Sequence, residues 1–138
     1  MNFPASASYS SPEIQTVIAW HVALNSGDVE RLVALSHPDV EVGGPRGGGH
    51  GARILCEWVD RANVRLEPGR TFGEADTVVV EQEAKWRVAA AEEGGGAQSV
   101  ASVFVVRDGL VTSVVRYPDL GSALRAANLG ETHERRSD

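Results

Sequence analysis

Residues Ile14, Val17, Ile18, His21 and Leu24 recur at helical spacing near the start of the chain, with Trp20 on the flank of the stripe. Ser11-Pro12-Glu13 places a capping residue, a first-turn proline and an acidic side chain before them, so the pattern predicts a helix from Pro12. Asn25-Ser26-Gly27 ends it. Asp28 then caps a second, shorter helix carried by Val29, Leu32, Val33 and Leu35. His37-Pro38-Asp39 breaks that helix and leads into a short strand, Val40-Glu41-Val42. Residues 43–51 are mostly glycine and predict a loop. Ile54, Leu55, Trp58, Val59 and Ala62 mark a third amphipathic helix.

From Val64 onward the period becomes that of strands. Val64 to Phe72 is one strand, bent at Pro68-Gly69. Thr77 to Ala90 is a long one, with Val78, Val80, Gln82, Ala84, Trp86 and Val88 on one side and Glu81, Glu83, Lys85 and Arg87 on the other. That alternation belongs to a sheet with one wet face. Gly94-Gly95-Gly96 turns into Ser99–Arg107, and Asp108-Gly109 is a two-residue hairpin signal into Leu110–Tyr117. Asp119 caps a last helix through Asn128. Residues 1–11 and 130–138 read as flexible termini around a single domain over 12–129. Helices first and an antiparallel meander afterwards define an α+β fold, not a parallel βαβ sheet.

Composition adds exclusions. The 138 residues suffice for one domain with a real core. Thirteen Lys and Arg against nineteen Asp and Glu leave a net charge of −6, which disfavours nucleic-acid backbones and anionic membrane surfaces. One cysteine, Cys56, excludes a disulfide framework and a thiolate-rich metal site; in its helix it reads as an inert packed residue. The four histidines, at 21, 37, 50 and 133, have no short ligand spacing, so no metal is expected. No apolar run approaches the roughly 20 residues of a membrane span, and Met1–Ser6 has neither the basic start nor the apolar run of a secretory signal. The expected location is the cytoplasm.

Particular stretches resemble a known superfamily. Ala23-Leu24-Asn25-Ser26-Gly27-Asp28, Leu32-Val33-Ala34-Leu35, Pro38-Asp39-Val40-Glu41-Val42, Gly51 before the helix of Trp58, and Val115-Arg116-Tyr117-Pro118-Asp119 are similar to nuclear-transport-factor-2-like proteins. Within them, the chain resembles the ketosteroid isomerase and SnoaL-like polyketide cyclase branch over roughly residues 12–129. The resemblance implies a cone: a curved, mostly antiparallel sheet wrapped around the N-terminal helices and open at one end to an apolar pocket. It implies either a cofactor-independent isomerase, cyclase or hydratase acting on an apolar ring-bearing small molecule, or a binding or dimeric interaction module that has lost the catalytic base. The isomerase residues do not carry over. Trp20 stands at the position of its tyrosine, Gly44 beside Pro45 at that of its base, and Ser102 near that of its protonated aspartic acid. Trp20 and Ser102 can donate hydrogen bonds; Gly44 cannot take a proton.

The glycine stretch Gly47-Gly48-Gly49-His50-Gly51-Ala52 fits G-x-G-x-x-A, with Glu67 twenty positions beyond Gly47. It lacks the parallel βαβ surroundings of a dinucleotide site and reads as a rim of the pocket; no cofactor is expected. His21 has two readings, a core histidine bonded to a backbone carbonyl or a general acid or base facing the pocket. Asp119 likewise is a helix cap or, as in SnoaL-like cyclases, the base that removes a substrate proton. Trp20, Trp58 and Trp86 fall on inward faces and are core residues or pocket walls, with Gln82 and Ser102 on inward strand positions. Arg116 shares the side of Val114 and Thr112. It faces the cavity to select an anionic or carbonyl end, or reaches solvent at the rim. The last two strands are apolar on both faces, with Ala101, Val103 and Val105 joined by Val111, Val115 and Tyr117 on the outer one. A homodimer through that outer face is expected.

Overall fold

The structure, a computed structural model, describes residues 11–44, 47–62, 64–86 and 98–135. Helix α1 (Pro12–Ser26) starts where the Ser11 Oγ accepts the Ile14 N–H at 3.2 Å. It ends at Gly27, whose φ of +76° is the left-handed conformation glycine adopts without strain. There the Gly27 N–H bonds to the Leu24 carbonyl and the Asp28 N–H to that of Ala23, which satisfies two terminal acceptors. Asp28 caps α2 (Val29–Ala34) through the Arg31 N–H. The stripe on α1 is rotated from the expected one. Trp20 is fully buried while Ile18 is 42% exposed, because the helix turns its indole, not Ile18, into the sheet.

Among the described residues seven strands form one sheet in the order β2-β1-β6-β5-β4-β3-β7: β1 (Ser36–Gly44), β2 (Gly47–His50), β3 (Val64–Glu74), β4 (Thr77–Trp86), β5 (Gln98–Arg107), β6 (Leu110–Tyr117) and β7 (Glu134–Arg135). Among the described residues only the β1–β6 pair is parallel. Helix α3 (Ala52–Ala62) lies between β2 and β3 in the chain, and α4 (Leu120–Ala127) follows β6. Shifts of register interrupt the β1–β6, β3–β4 and β5–β6 ladders, and such bulges bend a sheet. The β3 shift spans Pro68 and Gly69, where the sequence places the bend.

Three sequence expectations are corrected. His37-Pro38-Asp39 lies inside β1, in the shifted stretch between Ser36 and Glu41, where a residue without an N–H costs no ladder bond. The glycine run is not all loop. Gly47–His50 pair antiparallel with Glu41–Gly44, and a Cβ on Gly48 would lie 2.2 Å from the Val42 carbonyl oxygen, so only glycine fits. Residues 131–135 are not frayed: a 3-10 turn (Glu131–His133) leads into β7, which pairs with β3, and Arg70 holds Glu134 through two bonds of 3.1 Å. Residues 87–97, including the expected turn at 94–96, lie outside the described residues.

The sheet carries a core on each face. The larger packs α1, α2 and α3 onto Val40, Val42, Val78, Val80, Ala84, Val100, Phe104 and Val114. The smaller packs α4 onto Phe72, Val79 and Ala101 on the opposite face, with Val103 and Tyr117 at its margin. Val111 joins the larger core, because the shift between Val105 and Val106 reverses its expected side. Part of the outer apolar face is therefore covered by the chain's own last helix. Val105 and Val115 lie outside that cluster and stay half-buried. Among the described residues no helix is long and apolar enough to cross a membrane.

One side chain closes the sheet where β7 does not reach. The Asn25 amide donates to the Leu66 carbonyl at 2.8 Å and accepts the Leu66 N–H at 2.9 Å, imitating a neighbouring strand. Replacing it leaves both backbone groups without their partner. Asn25→Ala is expected to lower stability by roughly 2 kcal/mol, read as a fall in the urea midpoint at unchanged slope.

Candidate functional site

The larger core contains a line of polar side chains drawn from three elements. His21, on α1, sits at 1% exposure with its Nδ1 2.8 Å from the Val17 carbonyl, one helical turn back. Its Nε2 lies 2.8 Å from the Gln82 amide nitrogen on β4. The Gln82 Oε1 accepts the Ser102 hydroxyl, on β5, at 2.8 Å. Gln82 and Ser102 are as buried as His21, and among the described residues no buried side-chain polar atom lacks a partner. Burial pushes the His21 pKa down from 6.5 to about 4, against the raising effects of the Val17 bond and the Glu67 charge. The ring is neutral near pH 7.

Aromatic rings fill the space around this line. Trp20 stacks on the half-buried Trp58 of α3 at 6.5 Å and meets Phe104 edge-on at 5.2 Å, while His21 lies 5.4 Å from Phe104. The Trp20 N–H is spent on the Ser36 hydroxyl at 3.3 Å, which itself donates to the Leu32 carbonyl at 2.9 Å. Arg116 stands directly opposite Ser102 in the β5–β6 register, so it shares the inner face, and it is half-buried beside Gly44.

The structure thus brings together His21, Gln82, Ser102, Trp20 and Trp58, with Arg116 next to Ser102. Trp86 ends β4 and its side chain lies outside the described residues. Asp119 does not join the group. Its carboxylate accepts the Ser122 N–H at 2.8 Å as the cap of α4, on the opposite face of the sheet, and that bond holds its pKa below the ordinary carboxylate value. Sequence reasoning missed Ser36 and Phe104 as partners of Trp20. Ser36 lies sixteen residues from Trp20 with no shared period, so only tertiary folding joins them. A separate open groove of about 400 Å³ runs between α1 and β3, walled by Ile18, Val22 and Pro68, with Asn25, Ser26, Arg65 and Glu67 around it and His21 at its floor. Among the described residues no cluster of His, Cys, Asp and Glu is arranged to hold a metal.

Helices on the inner face of a bent, mostly antiparallel sheet define the nuclear-transport-factor-2-like, or cystatin-like, class. Residues 17–114 match the SnoaL-like domain, and the chain belongs to that family. No curated protein matches the sequence. Among solved structures the chain is similar to TerC co-crystallised with polyporic acid, at 23% identity over 81% of this chain and 95% of that one, with a TM-score of 0.68. It is also similar to a protein of ketosteroid isomerase-like fold from Catenulispora acidiphila in complex with trimethylamine (22% identity, 84% and 94% coverage, TM-score 0.67). An inferred polyketide cyclase from Xanthomonas campestris matches at 22% identity over 83% and 96%, with a TM-score of 0.64. At these identities the likeness is one of fold.

The buried imidazole makes stability depend on pH. The folded protein binds a proton at His21 less readily than the unfolded chain, whose histidine titrates at 6.5. Its contribution is fully present above pH 6.5, declines as pH falls from 6.5, and is lost by about pH 4, below which the folded state binds the proton too. Urea unfolding is expected to give roughly 2 kcal/mol less stability at pH 5 than at pH 7. His21→Gln, which removes the titration, flattens that interval even if its stability at pH 7 is lower.

Proposed function

We propose that this SnoaL-like domain binds a small molecule with an apolar, ring-bearing body and an anionic or carbonyl end, without acid–base chemistry on it. The observation that carries this reading is the state of His21, which is neutral and has both ring nitrogens engaged inside the protein. A general base needs a free lone pair within reach of a substrate proton. Gly44 supplies none, and Asp119 spends its carboxylate on a helix terminus across the sheet. None of the three positions where the isomerase, cyclase or hydratase reading seeks its base, His21, Gly44 and Asp119, therefore supplies a proton acceptor on the inner face.

Binding has better support. Trp58 has its ring partly open beside Trp20, and Arg116 shares the inner face with Ser102. An indole offers a flat apolar surface and a guanidinium a forked set of donors for a carboxylate or carbonyl oxygen. Two proteins of similar fold hold small molecules, polyporic acid and trimethylamine. A matched pair of 2-naphthoic acid and its neutral amide tests the reading by calorimetry. The acid is expected to bind wild type, and Arg116→Ala to weaken it about tenfold or more while weakening the amide, which offers one neutral carbonyl oxygen, to a smaller extent. Proton exchange or turnover of a bound ligand that is abolished by His21→Gln would overturn it in favour of the enzyme.

The second part of the proposal is a homodimer through the outer face of β5 and β6. Its support is the pair of half-buried valines, Val105 and Val115, that α4 leaves outside its own contact. Sedimentation is expected to give a dimer at micromolar concentration and a monomer for Val115→Glu.

A further inference from the structure

The polar line through the core has a direction, and the direction follows from one atom. A backbone carbonyl only accepts hydrogen bonds, so at 2.8 Å from the Val17 oxygen the His21 Nδ1 must carry the proton. In the neutral ring Nε2 is then an acceptor, and the Gln82 group facing it at 2.8 Å must be the NH₂. That orientation turns the Gln82 Oε1 toward β5, where it takes the only proton of the Ser102 hydroxyl. Ser102 is left with lone pairs and no donor. The Trp20 N–H is spent on Ser36. Neither Trp20 nor Ser102, the two donors the sequence offers in place of the isomerase groups, therefore has its hydrogen left for a ligand oxygen.

We infer that Ser102 meets a bound ligand only as a hydrogen-bond acceptor, so that the ligand carries a hydroxyl or N–H beside the anionic or carbonyl end that Arg116 receives. This rests on the binding reading above and narrows it to a ring with a donor and an acid or carbonyl group near each other. Ser102 and Arg116 are direct cross-strand partners, a relation that places side chains about 5 Å apart at Cβ. Ser102 is 2% exposed, so a ligand group reaching it leaves water behind. There, two acceptors set against each other are penalised far more than at the surface, which excludes a ligand carbonyl at that position.

Two measurements test this. Nitrogen-15 NMR of the histidines in wild-type protein at pH 7 is expected to show His21 protonated at Nδ1 and bare at Nε2; the opposite tautomer would overturn the inference without any variant. Calorimetry then compares the positional hydroxy-2-naphthoates with their methyl ethers. At least one hydroxy acid is expected to bind about tenfold more tightly than its ether. Ser102→Ala is expected to erase that preference, so that each hydroxy acid and its methyl ether bind alike. If naphthoates bind and respond to Arg116→Ala, yet hydroxyl and ether are equivalent and Ser102→Ala has no effect, the inference fails and the binding reading stands. If no naphthoate binds, the binding reading fails and takes this one with it.

Discussion

The His21 Nδ1 atom lies 2.8 Å from the carbonyl of Val17, and the polar half of the core is arranged around that contact. Burying an imidazole is costly unless both nitrogens find partners. The helix supplies one partner from its own backbone, a turn away, and the sheet supplies the other through Gln82. Because the first partner cannot donate, every later hydrogen bond has a fixed sense. One set of interactions thereby both secures the packing of α1 against β4 and β5 and fixes which atoms along the line donate and which accept.

The same contact takes His21 out of the conditions that acid–base work requires. A histidine suits acid–base work when its pKa lies near the working pH and one nitrogen reaches the substrate. Here desolvation moves the pKa to about 4 and the partners occupy both nitrogens. Trp20, Phe104 and Trp58 close around the ring, so the inner face is a packed surface with a half-buried indole and a half-buried guanidinium toward its margin.

The outer face follows a different constraint. An antiparallel sheet with one core tolerates charge on its far side, and Glu83 and Lys85 are exposed there. Val79 and Ala101 are fully buried on that side because α4 folds back over them, anchored at its start by the Asp119 cap. The cap residue and the covered valine belong to one device. The carboxylate that ends one helix turn and the apolar patch beneath that helix are both satisfied within the chain.

Periodicity alone determined most of the elements. The start of α1 at Ser11-Pro12, its end at Gly27, the bend at Pro68-Gly69 and the turn at Asp108-Gly109 are local, set by capping, by φ and by missing donors within a few residues. The inward set Val78, Val80, Gln82 and Ala84 was also legible, since a strand alternates faces whatever packs against it. Tertiary structure decided the rest, for reasons of distance and register. The pairing of the glycine run as β2 depends on the space above Val42, and the side of Val111 depends on one shifted residue in β6. The burial of Trp20 in place of Ile18 depends on how α1 is rotated over the sheet. The role of His21 was open in the sequence because its partners lie four and sixty-one residues away. The nearer one follows from the helix. The farther one exists only once β4 lies beneath it.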